Sequence, residues 1–293
     1  MTCKILFSVL IANYNNGKSL MNAVESVRRQ TYTNWEIVIV DDGSTDDSAM
    51  VYQKLIDDKH VRIFYNGDNY GCGYTKRRCA ELAKGDICGY LDPDDTLEEL
   101  AIERHIVAHK DKSVSVVYSK AHYCTTDGRI TGESQLPDYS NGNTYFDYRT
   151  WGSMHFTSFK HDAYLKTEGI NPQLKAGVDQ DLYFKLEEVG LIYPLDEFCY
   201  NWVNSGNDHS VSCGTMHNYI PLWYWNMVAR YDTCVRRGLP LDILLPDFRN
   251  IVEDYGSMVA LQKEREIRSS KTYRIGKAIL KPFNWLNSLC RKK

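Results

Sequence analysis

Four apolar runs, separated by stretches of helical periodicity, organise the first ninety-two residues. ILFSVLIA (5–12), WEIVIVD (35–41), VRIFYN (61–66) and DICGYLD (86–92) are rich in β-branched and aromatic residues without strict alternation. That is the pattern of strands covered on both faces. Between them, GKSLMNAVESVRRQ (17–30) sets Leu20, Ala23, Val24 and Val27 at helical spacing. A second helix fits 47–57, with Ser44, Thr45 or Asp46 available to cap it, and YTKRRCAELAKG (74–85) reads as a third that stops at a glycine. This alternation demands a mostly parallel sheet with helices on both faces. Ligands of such sheets bind beyond the carboxyl ends of strands. The acidic clusters Asp41–Asp42 and Asp92–Asp95 both fall at such ends.

The remaining chain is less regular. LEELAIERHIVAHK reads as a helix opened by Asp95 or Thr96, with Glu98 or Glu99 completing a capping box. SVSVVYSKAHY (113–123) reads as a strand, 125–150 as a mobile polar loop, and VDQDLYFKLEEVG (178–190) as a helix. From 216 the character changes to aromatic-rich helices and a basic tail, which sets a domain boundary at 215/216 and leaves 216–293 as a helical extension. The 293 residues, 43% hydrophobic and 25% charged, suffice for a core without disulfides or structural metal. A net charge of −3 argues against nucleic-acid binding. The nine cysteines form no C-x-x-C pair and read as reduced thiols of a cytosolic protein. No run approaches the ~18 apolar residues of a membrane span, and the N-terminus reads as a buried strand rather than a signal peptide.

YLDPDDTL poses the chemical question. Asp92, Asp94 and Asp95 lie so close that a cation or solvent must sit among them. A turn with Asp95 as a helix cap is the plainest reading. The D-x-D-x-T of haloacid-dehalogenase phosphatases also fits, with Asp92 as nucleophile and Asp94 as general acid. So does a metal-bridging D-x-D of a nucleotide-sugar glycosyltransferase.

The preceding segment, ANYNNGKSLMNAVESVRRQTYTNWEIVIVDDGSTDDS, resembles the start of an inverting family-two glycosyltransferase of the GT-A fold. The later Asn-x-Gly, Lys-Arg, Ala-Lys-Gly-Asp, Leu-Asp-Pro-Asp-Asp and Val-Asp-Gln-Asp-Leu-Tyr-Phe-Lys-Leu follow in that family's order. The resemblance covers about Ile5 to Ser212. It implies a Rossmann-like sheet and a nucleotide-sugar donor, UDP-linked in the first place, with a dTDP-linked one as the alternative. Ala12 and Tyr14 would lie at the nucleotide, Tyr14 against the base, and Asp42 would accept the base imide N–H, while Asp41 orients the turn. Asp92 would reach the ribose or the metal, and Asp94 would hold Mn2+ or Mg2+ against the donor phosphates. Lys76 and Arg77 would touch base or diphosphate. Asp179 matches the general base and Asp181 its structural neighbour.

Departures are also legible. Val178 replaces the usual Glu, and Trp202 and Asn204 stand near the expected Arg and His. His209 is then a candidate metal or diphosphate ligand and His155 a candidate acceptor contact. His105 and His109, four residues apart, read as an ordinary helix surface. The tail 268–293 carries only positive charge, with Ile275, Ile279, Leu280, Phe283 and Leu286 at helical spacing. It suits either contact with an anionic membrane surface, which would place the protein at the inner face of the plasma membrane, or docking on the main domain. The expected acceptor is a glycan or a lipid-linked saccharide. The alternatives left open are the phosphohydrolase and a non-catalytic nucleotide-sugar-binding module.

Overall fold

The structure is a computed structural model, and it describes residues 4–136, 144–147, 155–204 and 216–244. In chain order it contains β1 (Phe7–Asn13), α1 (Gly17–Arg28), β2 (Trp35–Asp41), α2 (Ser48–Leu55), β3 (Val61–Tyr65), α3 (Cys72–Leu82) and β4 (Ile87–Tyr90). There follow β5 (Thr96–Leu97), α4 (Ala101–Ala108), β6 (Val114–Thr125), β7 (Ile130–Glu133), β8 (Thr157–Lys160) and α5 (His161–Tyr164). The series ends with α6 (Val178–Glu187), β9 (Leu191–Asn204), α7 (Met216–Arg237) and a short 3-10 turn, Leu241–Leu244.

One sheet runs in the order β3-β2-β1-β4-β8-β6-β9-β5, with β7 paired to β6. Strands β1 to β4 are parallel, as their apolar runs require. Alternation along each strand feeds two cores. Phe7, Val9, Ile11, Ile37 and Ile39 pack with Leu20, Val24 and Val27 of α1 on one face. Leu10, Val38 and Val40 pack with Cys79 and Ala80 of α3 on the other. Each of these larger aliphatic side chains contributes roughly 1.5–3 kcal/mol by leaving water.

Beyond β4 the sheet becomes mixed. β8 is antiparallel to both β4 and β6, β9 runs parallel to β6, and β5 is antiparallel to β9. Three expectations are corrected here. The segment after Asp95 is not a helix from Leu97: Thr96–Leu97 forms β5, and α4 starts at Ala101 with no side-chain cap. Part of the expected loop 125–150 is strand β7. His105 and His109 are buried rather than surface residues, and both bond to Ser158 Oγ, at 2.7 and 2.9 Å.

The Gln30-Thr31-Tyr32 segment explains how the acidic turn is held against the first half. Gln30 Nε2 donates to the Glu98 carbonyl at 2.7 Å, and its Oε1 accepts the Ile102 N–H at 3.0 Å. Thr31 N–H reaches the Glu99 carbonyl at 3.0 Å. The end of α1 thereby fixes the start of α4 and the turn before it.

The chain divides into two compact units, Met1–Leu241 and Asp242–Lys293, so the helix Met216–Arg237 counts with the sheet-bearing unit. The six described cysteines are free thiols, five of them buried. No helix among the described residues is long and apolar enough to cross a membrane. His209, Trp151 and the tail 268–293 lie outside the described residues.

Candidate active site

The site forms where the carboxyl ends of β1, β2 and β4 face the first turn of α6. At the end of β1, Ala12 is partly buried and Tyr14 is exposed. The Asn-Tyr-Asn turn is laced to the Asp-Asp-Gly-Ser turn. Asn15 N–H donates to Ser44 Oγ at 3.0 Å, and Asn15 Oδ1 accepts the Thr45 N–H at 2.8 Å. Asp41 does orient this turn: its Oδ1 accepts the N–H groups of Gly43 and Ser44, and its Oδ2 accepts the Tyr52 hydroxyl at 2.5 Å.

Asp42 is buried, with both oxygens occupied by protein groups. Asn66 Nδ2 and Tyr70 N–H donate to Oδ1 at 2.7 and 3.0 Å, and Gly71 N–H donates to Oδ2 at 2.7 Å. Gly71 has φ 95°, in the left-handed region that glycine tolerates best, and a Cβ there would meet Lys175 Nζ at 2.6 Å. Lys175 in turn donates to the Tyr70 carbonyl at 2.6 Å. Asp42 thus anchors the loop leading into α3, and that loop is tied to the segment leading into α6.

Helix α3 carries the cation at the centre. Lys76 Nζ donates to Asp179 Oδ1 at 2.9 Å and lies 3.4 Å from Asp92 Oδ1. Its side chain is 9% exposed, against 39% for Asp92 and 43% for Asp179. Burial pulls the Lys76 pKa down, but the charges of Asp179 and Asp92 outweigh it, and it stands well above the ordinary lysine value. The protein surroundings push Asp92 up while Lys76, and then His155, pull it down, leaving it below the usual carboxylate value. Arg77, expected beside the donor, points elsewhere: it pairs with Glu81 at 2.7 Å and donates to the Glu168 and Ile170 carbonyls at 3.0 Å each. One residue along a helix is a turn of about 100°, so adjacent cations cannot share a face.

The Asp92–Asp95 turn is held by strand β9. Asp95 is buried and accepts the Tyr200 hydroxyl at 2.7 Å and the Val203 N–H at 2.7 Å, while Tyr200 Oη accepts the Asp92 N–H at 3.2 Å. Burial, then the charges of Asp92 and Asp94, push the Asp95 carboxyl up to about 8. Asp95 is therefore a strand anchor and not a helix cap. His155 stacks on Tyr200 with ring centres 5.0 Å apart, and its pKa is held below the usual value by burial, against the opposing charges of Asp92 and Asp179.

At the opposite wall, α6 follows Gly177, whose φ of 66° and lack of a side chain admit Asn226: a Cβ would stand 2.2 Å from Asn226 Oδ1. In the first turn Asp179 faces Lys76, while Asp181 is fully buried, accepting the Asn171 N–H at 2.8 Å and pairing with Lys185 at 2.9 Å. Tyr200 and Asp95 are the functional side chains that sequence reasoning missed or misread. Their bond spans 105 residues and leaves no local signal.

Among the described residues no group of three or more His, Cys, Asp or Glu converges to hold a cation by itself. Asp92 and the partly buried Asp94 are hard oxygen donors in one turn. That set suits a magnesium-like ion, which takes one or two carboxylates and completes its shell with substrate phosphates and water.

Residues 8–173 match the family described as Glycosyl transferase family 2. The chain belongs to that family. It is 36% identical over 214 residues to a chondroitin synthase of Escherichia coli, covering 70% of this chain and 30% of that protein. It is 29% identical over 302 residues to a hyaluronan synthase of Pasteurella multocida, covering 98% of this chain and again 30% of the relative. The chain thus spans less than a third of the length of these two relatives. Among solved structures, S. aureus TarS in complex with UDP-GlcNAc aligns with a TM-score of 0.59 at 18% identity, over 75% of this chain and 65% of that one. The shared architecture is the GT-A glycosyltransferase fold. Membership of this glycosyltransferase family sets aside the phosphohydrolase reading of Asp92 and Asp94.

Proposed function

We propose that this glycosyltransferase moves a sugar from a UDP-linked donor to a hydroxyl of a glycan or lipid-linked acceptor, with inversion at the anomeric carbon, in the synthesis of a cell-surface polysaccharide. One observation carries the reading. Asp92, Lys76 and Asp179 meet in a single partly open site, although Lys76 and Asp179 lie 103 residues apart in sequence. A binding module has no need for a half-exposed carboxylate held beside a buried lysine and open to a second substrate.

The chemistry follows from the side chains. The acceptor hydroxyl attacks the anomeric carbon from the face opposite the diphosphate, its proton passes to Asp179, and the broken carbon–oxygen bond leaves its electron pair on the diphosphate. Lys76 supplies positive charge to that leaving group from a largely desolvated position, where it acts more strongly than in water. A divalent Mn2+ or Mg2+ held with Asp94 and Asp92 would, when bound, neutralise further diphosphate charge. Tyr14 is exposed at the end of β1 and available to the base. Asp42 supports the pocket by fixing the 66–71 loop, with a base contact as its second task. His155, stacked on Tyr200 beside Asp92, suits the acceptor side. His209 stays a candidate diphosphate or metal ligand on its sequence position alone. The basic segment 268–293 supports contact with an anionic membrane surface, which sedimentation with phosphatidylglycerol vesicles tests.

A panel of UDP-, dTDP- and GDP-sugars, each with and without Mn2+, scored by thermal shift, tests the donor reading. A ligand at ~100 times its dissociation constant stabilises by ~2.7 kcal/mol. UDP-sugars with Mn2+ are expected to raise the unfolding temperature most. Equal response to every nucleotide, or to none, contradicts the proposal.

A further inference from the structure

Lys76 stands between two carboxylates with different work in the proposed reaction, and any role it plays between them rests on that reading. Its ammonium is shared by Asp179 Oδ1 at 2.9 Å and Asp92 Oδ1 at 3.4 Å. The lysine is held in place from below. Its carbonyl accepts the Tyr90 hydroxyl at 2.7 Å, and Nζ lies 5.2 Å from the centre of the Tyr90 ring. Asp179 is far more exposed than Lys76. The carboxylate therefore has solvent and substrate as alternative partners, whereas the buried ammonium depends on whatever anion the site presents.

Two requirements conflict in this arrangement. A general base must offer a lone pair to the incoming hydroxyl, and the Lys76 ammonium at 2.9 Å already occupies Asp179 Oδ1. The leaving diphosphate, on the other face of the anomeric carbon, needs a cation within its reach. One lysine cannot serve both anions fully at once.

We propose that Lys76 is a latch: without donor it holds Asp179 and Asp92 together, and when the donor diphosphate arrives it turns to that anion and frees Asp179 to face the acceptor. Donor binding then precedes productive acceptor binding, and the base is released only in a site that contains something to transfer. Asp92 keeps part of the cation's attention throughout, which limits the movement to a short swing of Nζ.

The test is a double-mutant cycle read by calorimetric titration of UDP in Mn2+, on wild type, Asp179→Asn, Lys76→Met and the double variant, with uridine as the diphosphate-free control. The latch predicts that Asp179→Asn binds UDP about twofold to fivefold more tightly, because a competitor for Lys76 is gone. Lys76→Met weakens UDP about tenfold or more, and Asp179→Asn adds nothing in the Lys76→Met background. Uridine binds all four proteins alike, and Lys76→Arg restores the response to Asp179→Asn. Lys76→Gln repeats the cycle if the methionine variant does not fold. An equal tightening by Asp179→Asn with and without Lys76 would show simple charge repulsion and overturn the latch. So would UDP affinity indifferent to Lys76. A wild-type protein that binds no UDP at all overturns the donor reading itself, and the latch with it.

Discussion

The turn after β4 and the first turn of α6 solve the same problem with the same pair of parts. Each presents an aspartate to Lys76 and buries another close by. Asp92 and Asp179 are 39% and 43% exposed and meet Lys76, while Asp95 and Asp181 are buried and fastened to protein partners. The fastenings differ. Asp181 uses a neighbour one helical turn away, Lys185, together with the Asn171 backbone, so its turn is braced locally. Asp95 uses Tyr200 and Val203 of a strand more than a hundred residues later, so its turn is braced by the fold. A carboxylate that must meet a reacting group within fractions of an ångström needs a neighbour that cannot move.

The contrast predicts unequal consequences. Asp181→Ala leaves the Lys185 ammonium buried without its counter-charge, and a loss of roughly 3–5 kcal/mol in unfolding free energy is expected by urea denaturation. A loss below ~1 kcal/mol would show the local brace to be dispensable.

A second contrast separates His155, beside the site, from His105 and His109, which share Ser158 in the core. Burial holds the pKa of His105 well below its usual value and that of His109 at about 3. Their unfolded values lie near 6.5, so the unfolded chain binds more protons between about pH 3 and 6.5. Stability from this pair is full above that window and falls as pH drops through it. Between pH 7 and 5 the expected loss is about 2–4 kcal/mol, absent in His105→Gln/His109→Gln if that variant keeps the fold. Equal acid sensitivity of both proteins would remove the histidines from the explanation.

The smallest effect expected is in Tyr200→Phe. It removes one hydroxyl that both accepts from Asp92 N–H and donates to Asp95, costing about 0.5–1.5 kcal/mol of stability. If the strand brace positions Asp92, kcat falls while the UDP dissociation constant stays within about twofold. A matching rise in the UDP dissociation constant would place Tyr200 in the donor pocket instead.

Half of the fold was written plainly in the residues. β1 to β4 are parallel and buried on both faces, so their apolar runs announce them whatever lies elsewhere. β8 has four residues, and β9 reads LIYPLDEFCYNWVN, with a proline and two acids inside it. Neither carries a period that distinguishes a strand from a loop, and both become strands because β4 and β6 provide edges to pair with. The site divides the same way. Asp92 stands out at a strand end that can be read locally, whereas Asp179 is named through the family resemblance. The misreading of Asp95 as a cap arose because Asp-Thr before an apolar run is also a helix signal, and only β9 decides between the two. Arg77 looked equivalent to Lys76 until the helix placed them on different faces.

The role of Asp179 as base is tested by UDP release from a UDP-sugar with Mn2+ and a panel of oligosaccharide acceptors, comparing wild type with Asp179→Asn. Acceptor-dependent release is expected to fall about 10²–10⁴-fold in the variant, with UDP-induced thermal stabilisation retained. Release at the wild-type rate from Asp179→Asn would refute the proposed transfer mechanism.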